Sequence, residues 1–277
     1  MTHEIVSWWA ALLLAFVQGA TEFIPVSSSG HLVILSDLLG MDELPVAFAV
    51  VVHLGTLVAV MLYMRREIIA IFSGGEVEGA PGEKISARRL WLPLFVGTIP
   101  AVVLGFAFKD LIEFMFGAPL CVGVILLLTA LVLWLADRSA KHARQEPITW
   151  QRGLFIGLGQ AASALLRGLS RSGTTISVGL ACGLSREMAA KFSFLLSTIA
   201  IGGAGLWEAK DIAENPLPPG QLPVYLVGGL VAAVVGYISI YFVMDTVKHG
   251  SLFKRFGYYC VVLSVFTIIG SLTGYLG

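Results

Sequence analysis

Two short polar stretches carry residue types that handle phosphate, and each interrupts a long apolar run. The first is QGATEFIPVSSSGH, from Gln18 to His31, and the second is RGLSRSGTTIS, from Arg167 to Ser177. A shift of 143 positions places the SSSG of the first stretch on the SRSG of the second. The first stretch then offers a carboxylate, hydroxyls and an imidazole, and the second offers hydroxyls and a guanidinium.

Each Ser/Gly turn is followed by residues consistent with the start of a helix. The first amides of a helix have no acceptor within it and carry the positive end of its dipole, so such a turn is a ready anion site. We therefore expect both turns to contact phosphate. The predicted phosphate-binding residues are Ser27, Ser29, Gly30, Ser170, Ser172, Gly173 and Thr174.

The predicted catalytic side chains are Glu22, Ser28, His31 and Arg171. An arginine at membrane depth is costly, and phosphate recognition is a usual reason to keep one; a structural ion pair with Glu22 is the alternative. Glu22 can act as a base, orient a histidine, or hold Mg²⁺ or Ca²⁺ together with substrate phosphates. Ser28 or His31 attacks phosphorus, or they activate a water, and the sequence leaves these routes open.

Three further polar residues border this set. Gln18 precedes Glu22 by four residues, so the two share a helical face. Arg167 either reaches the same cavity or extends towards the cytoplasmic interface. His53, in VVHLGT, lies within a spanning helix and either supports the site residues or only packs, and packing is favoured.

Membrane helices must position these residues. The chain of 277 residues is 57% hydrophobic and 13% charged, which is typical of an all-α, multi-pass membrane protein. A spanning helix needs roughly 20 mostly apolar residues. Six runs are predicted to span: Pro45–Tyr63, Leu90–Phe108, Leu120–Ala136, Phe192–Trp207, Pro223–Met244 and Tyr258–Leu276.

Residues 5–39 and 153–184 are apolar but interrupted midway by the two polar stretches. Each region predicts a re-entrant pair of half-length helices that enters and leaves the membrane on one side. Fourteen of the 18 Lys and Arg residues then fall in loops on a single side, which the positive-inside rule assigns to the cytoplasm. Both chain termini are predicted to lie outside.

This topology makes the two halves inverted copies. Residues 1–136 form the first predicted repeat, 137–152 a cytoplasmic linker and 153–277 the second repeat. Inverted repeats place a site near the membrane midplane, where the broken helices of both halves meet. A transporter or flippase of a phosphorylated lipid has the same architecture and is the competing hypothesis.

Other patterns mainly exclude functions. The zero net charge argues against a nucleic-acid partner, which would need clustered Lys and Arg. The three cysteines lie singly and predict neither a disulfide framework nor a zinc site. Gly157, Gly159 and Ala162 match a dinucleotide fingerprint formally, but without a preceding strand they indicate close helix packing.

The motifs TEF-x-PVSSSGH and SRSG-x-T-x-S resemble those of the undecaprenyl pyrophosphate phosphatase family, the bacitracin-resistance type of integral membrane phosphatase. The resemblance covers essentially the whole chain. It implies hydrolysis of a polyprenyl pyrophosphate to the monophosphate, which recycles the lipid carrier of cell-wall synthesis. It also implies an inverted-repeat helical fold, a divalent cation such as Mg²⁺ or Ca²⁺, and a homodimer. We expect the protein to lie in the bacterial plasma membrane, with the site facing outside.

By position, the family's glutamate, serine, histidine and arginine fall on the four predicted catalytic residues. Two positions depart from the family pattern. Gln18 stands where the family commonly has a glutamate, which argues against a paired-carboxylate mechanism or a two-carboxylate metal site; the amide carbonyl can still bind a cation or hydrogen-bond phosphate, but it cannot act as a base. Arg167 stands where the family commonly has a proline, and it either loosens that turn or adds a second cation for the pyrophosphate.

Overall fold

A computed structural model gives the fold and describes residues 6–41, 44–78, 84–108, 119–140, 146–214, 217–249 and 252–276. Over these ranges the chain forms eleven α-helices and one small antiparallel hairpin, which confirms the all-α prediction. The helices are α1 Trp8–Glu22, α2 Ser28–Leu38, α3 Val46–Tyr63, α4 Arg65–Ser73, α5 Trp91–Ala107, α6 Pro119–Ala140, α7 Trp150–Leu165, α8 Arg171–Ala181, α9 Arg186–Glu214, α10 Gln221–His249 and α11 Leu252–Leu272. The hairpin strands are β1 Glu76–Glu78 and β2 Lys84–Ser86.

Six of these helical segments are long and apolar enough to cross a membrane, and each overlaps one predicted run. They are Val46–Tyr63, Ala87–Ala107, Pro119–Ala140, Arg186–Trp207, Gln221–Val247 and Phe253–Leu272. The prediction of a multi-pass membrane protein is therefore confirmed. Residues 141–145 of the predicted linker and residues 1–5 lie outside the described ranges.

The two interrupted regions each fold as two short helices with a turn between them. The helices α1 and α2 flank residues 23–27, and α7 and α8 flank residues 166–170. In the first region Pro25 lies just after α1 ends, where a missing N–H prevents the helix from continuing. The four helices have 15, 11, 16 and 11 residues, too few to span a bilayer singly. Their re-entrant disposition stays a prediction.

Small residues let several helices pack backbone against backbone. A side chain on Gly157 of α7 would collide with the backbone of Gly97 in α5, and one on Gly55 of α3 would collide with Gly229 in α10. The structure thus places Gly157 in a helix contact, as the sequence indicated. Other helices in close contact are α1 with α10 and α6 with α11.

The two turns contact each other in the interior. Ser172 Oγ donates a hydrogen bond of 3.2 Å to the carbonyl oxygen of Ile24, which joins the start of α8 to the first turn. Thr129 of α6 supports the second turn, since its Oγ1 donates to the Gly168 carbonyl oxygen and accepts from the Ser170 amide. The described structure therefore brings the polar stretches together, while the repeat boundaries at 136 and 153 stay a prediction.

Candidate active site

Glu22, the last residue of α1, joins the two polar stretches. Its Oε1 accepts from Arg171 Nη2 at 2.5 Å, and its Oε2 accepts from Ser28 Oγ at 2.6 Å and Gln18 Nε2 at 2.8 Å. Only 6% of the Glu22 side chain is exposed. A buried carboxylate is tolerated when charged and neutral donors satisfy it, as they do here. Three of the four predicted catalytic residues therefore meet at one carboxylate.

Arg171 begins α8, so its position is fixed by the helix that the second turn caps. The ion pair with Glu22, the alternative considered from the sequence, is present and uses only Nη2. Nη1 is buried and has no partner within the described part of the chain. A buried donor without an acceptor is rare in native proteins, and a bound ligand is one way to supply the acceptor. The guanidinium can thus hold Glu22 and an anion together.

Two acceptor or hydroxyl groups of the predicted site are buried in the same way. Gln18 Oε1 and Thr174 Oγ1 each lack a partner among the residues that the structure describes. Gln18 is fully buried and Thr174 is 6% exposed. The site therefore holds buried polar atoms of both kinds that its own residues leave unsatisfied.

The first turn presents the beginning of α2. Ser27 Oγ caps the helix by accepting from the Gly30 amide at 3.3 Å and lies 3.5 Å from Ser29 Oγ. Ser27 has φ of 69°, and it is the one non-glycine residue with positive φ among those described. This conformation costs of order 1–3 kcal/mol and tends to occur where function demands it. The amides of Ser28 and Ser29 belong to the first helical turn and have no acceptor within it.

The second turn repeats this capping. Ser170 Oγ accepts from the Gly173 amide at 3.1 Å and lies 3.3 Å from Ser172 Oγ. Its φ of −61° is ordinary, so the two turns share hydrogen bonds but not backbone conformation. Both half-length helices therefore begin beside Glu22, with the positive ends of their dipoles at the site.

His31 lies on α2 one turn after Ser28, but it does not contact Glu22. Its Nδ1 is 2.8 Å from the Ser27 carbonyl oxygen and its Nε2 is 2.7 Å from the hydroxyl of Tyr259 on α11. Both ring nitrogens are thus engaged. The hypothesis that Glu22 orients or deprotonates a neighbouring group fits Ser28 and not His31, because Ser28 Oγ donates to Glu22 while both His31 nitrogens bond elsewhere.

The structure places His53 beside Glu22, which favours the supporting role over plain packing. Its Nε2 lies 3.8 Å from Glu22 Oε2, while its Nδ1 is held 2.7 Å from the Ala49 carbonyl oxygen. The carbonyl can only accept, so Nδ1 carries a hydrogen and Nε2 faces the carboxylate. The sequence placed His53 inside a spanning helix but gave no sign that this helix passes beside Glu22.

The family model described as "Bacitracin resistance protein BacA" matches residues 11–266, and both polar turns lie inside that range. The chain belongs to the BacA family. Relatives named "Undecaprenyl-diphosphatase" cover nearly the full length. The protein from Methanosphaera stadtmanae is 40% identical over 94% of this chain and 96% of its own.

Two further BacA-family relatives are similar to the same degree. The protein from Carboxydothermus hydrogenoformans is 39% identical over 94% of this chain and 95% of its own length. That from Alcanivorax borkumensis is 42% identical over 85% of this chain and 88% of its own. Both carry the name "Undecaprenyl-diphosphatase", so the transporter hypothesis is not favoured.

The residues around Glu22 fit a divalent cation that arrives with a phosphate ligand. Among the described residues no group of three or more His, Cys, Asp or Glu side chains could hold a metal ion. The Glu22 carboxylate and the unpartnered Gln18 carbonyl oxygen are oxygen ligands of the kind that Mg²⁺ and Ca²⁺ prefer. Mg²⁺ commonly takes one or two carboxylates plus substrate phosphates, which is what this pair allows.

Arg167, the second departure from the family pattern, lies in the turn between α7 and α8. It is half-buried and directly precedes Gly168, whose φ is 98°. The chain turns sharply here, and a glycine adopts that conformation without strain. Arg167 therefore lies near the start of the second turn, and a contact between its side chain and a pyrophosphate stays a prediction.

Proposed function

We propose that this protein hydrolyses undecaprenyl pyrophosphate to undecaprenyl monophosphate and inorganic phosphate. The observation that carries the proposal is the contact of Glu22 with both Ser28 and Arg171. This contact places a base, a hydroxyl and a cation from two distant segments at one buried point. A plain ion pair would not require a serine at 2.6 Å or two helix beginnings beside it.

Binding of the pyrophosphate follows from the donors that the site leaves unused. Arg171 Nη1 and the first amides of α2 and α8 offer hydrogen bonds to phosphate oxygens. These donors are fixed before the substrate arrives, so they stabilise the charge on the transferring phosphoryl group without reorganisation. Phosphoryl transfer depends mainly on such positioning and charge stabilisation.

Ser28 is the nucleophile that the geometry favours. Glu22 Oε2 takes the proton of the Ser28 hydroxyl as Oγ attacks the terminal phosphorus. The bond from that phosphorus to the bridging oxygen breaks, and undecaprenyl monophosphate leaves. A water then attacks the phosphoserine and leaves as part of the released inorganic phosphate, while Glu22 returns its proton to Ser28 Oγ and restores the hydroxyl. His31 lies on the next turn of α2, with Nδ1 held by the Ser27 carbonyl oxygen, and its Nε2 can take part in proton transfer only when the Tyr259 hydroxyl gives up its hydrogen bond to that nitrogen.

A divalent cation belongs to the proposal as a partner of the substrate. Glu22 and Gln18 would hold it, and it would neutralise charge on the pyrophosphate. In this proposal the phosphates lie between the two turns and contact Ser27, Ser29, Gly30, Ser170, Ser172, Gly173 and Thr174.

The cavity opens to the outer face of a bacterial plasma membrane in this proposal, and the polyprenyl tail leaves sideways between helices. The charge distribution of the loops supports that orientation, because Lys and Arg concentrate on the opposite side. The product would be the monophosphate carrier, ready for another cycle of cell-wall synthesis.

The test is phosphate release by the purified protein from a polyprenyl pyrophosphate in detergent, with and without a chelator. We expect one inorganic phosphate and one polyprenyl monophosphate per substrate, with release reduced by the chelator. Folded wild-type protein that binds the substrate but releases no phosphate in the presence of Mg²⁺ or Ca²⁺ would exclude the proposal.

A further inference from the structure

Tyr259 contacts the one nitrogen of His31 that can accept a proton. The Ser27 carbonyl oxygen can only accept a hydrogen bond, so His31 Nδ1, 2.8 Å away, is the protonated nitrogen of the neutral ring. The lone pair is then on Nε2, where the Tyr259 hydroxyl donates at 2.7 Å. The phenol and the peptide carbonyl therefore select the same tautomer from opposite ends of the ring.

The surroundings hold this contact in place. The planes of the phenol and imidazole rings are 4° from parallel, and their centroids are 5.7 Å apart. Leu263, one turn beyond Tyr259 on α11, packs against a cluster that combines Val33 and Ile34 of α2 with Val122 and Leu126 of α6. The face of α11 that carries Tyr259 therefore packs on the cluster that α2 and α6 share, and α11 itself pairs with α6.

We propose that Tyr259 is a positioning residue for His31, an inference that rests on the proposed phosphatase function. The phenol keeps His31 in the Nδ1–H tautomer and holds Nε2 in a fixed place until substrate or water takes over the hydrogen bond. Without the hydroxyl, the ring is anchored only at Nδ1, and both its rotation about that bond and its tautomer become less defined.

Tyr259→Phe removes the hydroxyl and keeps the ring, and Tyr258→Phe is a matched control. Tyr258 is the next residue on α11 and packs edge-on against Trp134 at 5.5 Å between ring centroids, away from the candidate site. We expect Tyr259→Phe to lower kcat for phosphate release about 3- to 10-fold with KM little changed, as the loss of one hydrogen bond predicts. Tyr258→Phe should leave both values near wild type.

A spectroscopic measurement separates positioning from a general structural effect. In protein labelled with ¹⁵N-histidine, the His31 signals are assigned by their loss in His31→Gln. Wild type should show one hydrogen-bonded Nδ1–H tautomer, and Tyr259→Phe should shift the Nε2 signal, while Tyr258→Phe should not.

The inference is overturned if Tyr259→Phe keeps the wild-type kcat, or if kcat falls while the His31 signals stay unchanged. Either result leaves the proposed function standing when wild type releases phosphate. If wild type itself releases none, the proposed function fails, and the His31 spectra still report whether the phenol sets the tautomer.

Discussion

Four side chains surround Glu22, and they are distributed between its two carboxylate oxygens. Arg171 holds Oε1, which leaves Oε2 for Ser28, Gln18 and the nearby His53. Because the carboxylate is buried and its main cation is on another segment, removing one partner would leave an uncompensated charge. Activity and stability are thus coupled at this residue.

Ser28 supplies the first prediction at the residue scale. Ser28→Ala removes the hydroxyl that Glu22 accepts, and we expect phosphate release to fall by a factor of about 100 or more. Ser36→Ala is the control, because Ser36 lies in the same helix and its Oγ donates only to the Val33 carbonyl oxygen. Purified variants assayed under equal conditions decide the point. A Ser28→Ala protein with near-wild-type release would assign the attack to water or to His31.

Gln18 supplies the second prediction at the residue scale. Gln18→Glu replaces the amide that donates to Glu22 Oε2 at 2.8 Å, so two carboxylates would share one place. Like charges at that distance repel unless a cation lies between them, and we expect the variant to need less Mg²⁺ for half-maximal release than wild type. Titration of Mg²⁺ after chelation measures this. An unchanged Mg²⁺ requirement would remove Gln18 from the cation proposal.

The sequence predicted Glu22, Ser28 and Arg171 because their types are unexpected in an apolar run and their stretches align. It could not place His53 or Tyr259 beside the predicted site. Tyr259 lies 228 residues from His31 and sits in an ordinary apolar helix, so only the packing of α11 on α6, which also contacts α2, brings it there. Residue type announces a site, but its supporting neighbours depend on tertiary contacts.

At the scale of elements, the half-length helices matter because they begin at the site. Caps and glycines in the sequence predicted both helix starts, since serine followed by glycine favours a capped turn. The sequence did not show that the two turns differ in backbone conformation. The same capping bonds are satisfied with φ of 69° at Ser27 and −61° at Ser170, so the capping pattern does not by itself set the backbone conformation.

This asymmetry gives a stability prediction. Replacing Ser27 or Ser170 by Ala loses a helix cap, whereas Gly at such a position costs only a few tenths of a kcal/mol. At Ser27 glycine also relieves the left-handed strain. We compare the free energies of unfolding of the variants in mixed micelles. The Gly variant should be more stable than the Ala variant by about 2 kcal/mol at position 27 and by about 1 kcal/mol at position 170. Equal gaps at the two positions would argue against strain at Ser27.

At the scale of the whole molecule, hydropathy predicted the six spanning helices closely because length and apolarity are the main physical requirements of a span. The assembly of the two halves around one site was an inference from alignment and charge. Contacts such as Ser172 with Ile24 form only after the segments pack, so no local pattern contains them.

Orientation is tested by labelling. In a variant whose native cysteines are replaced by alanine, Pro219→Cys lies on the predicted outer side and Lys84→Cys on the predicted cytoplasmic side; the Lys84 side chain is 78% exposed. We expect a membrane-impermeant maleimide to label position 219 in right-side-out vesicles and position 84 only after permeabilisation. The reverse pattern would turn the cavity towards the cytoplasm.

The most direct test of the shared site compares two arginines that pair with glutamates. Arg171→Gln removes the cation that pairs with Glu22. Arg152→Gln removes the cation that pairs with Glu146; Arg152 Nη2 lies 3.3 Å from Glu146 Oε2, and this pair is not part of the candidate site. With both variants folded, we predict that phosphate release falls by about 100-fold or more for Arg171→Gln and stays near wild type for Arg152→Gln. Equal release by folded Arg171→Gln and Arg152→Gln would contradict a phosphatase site built from both polar turns.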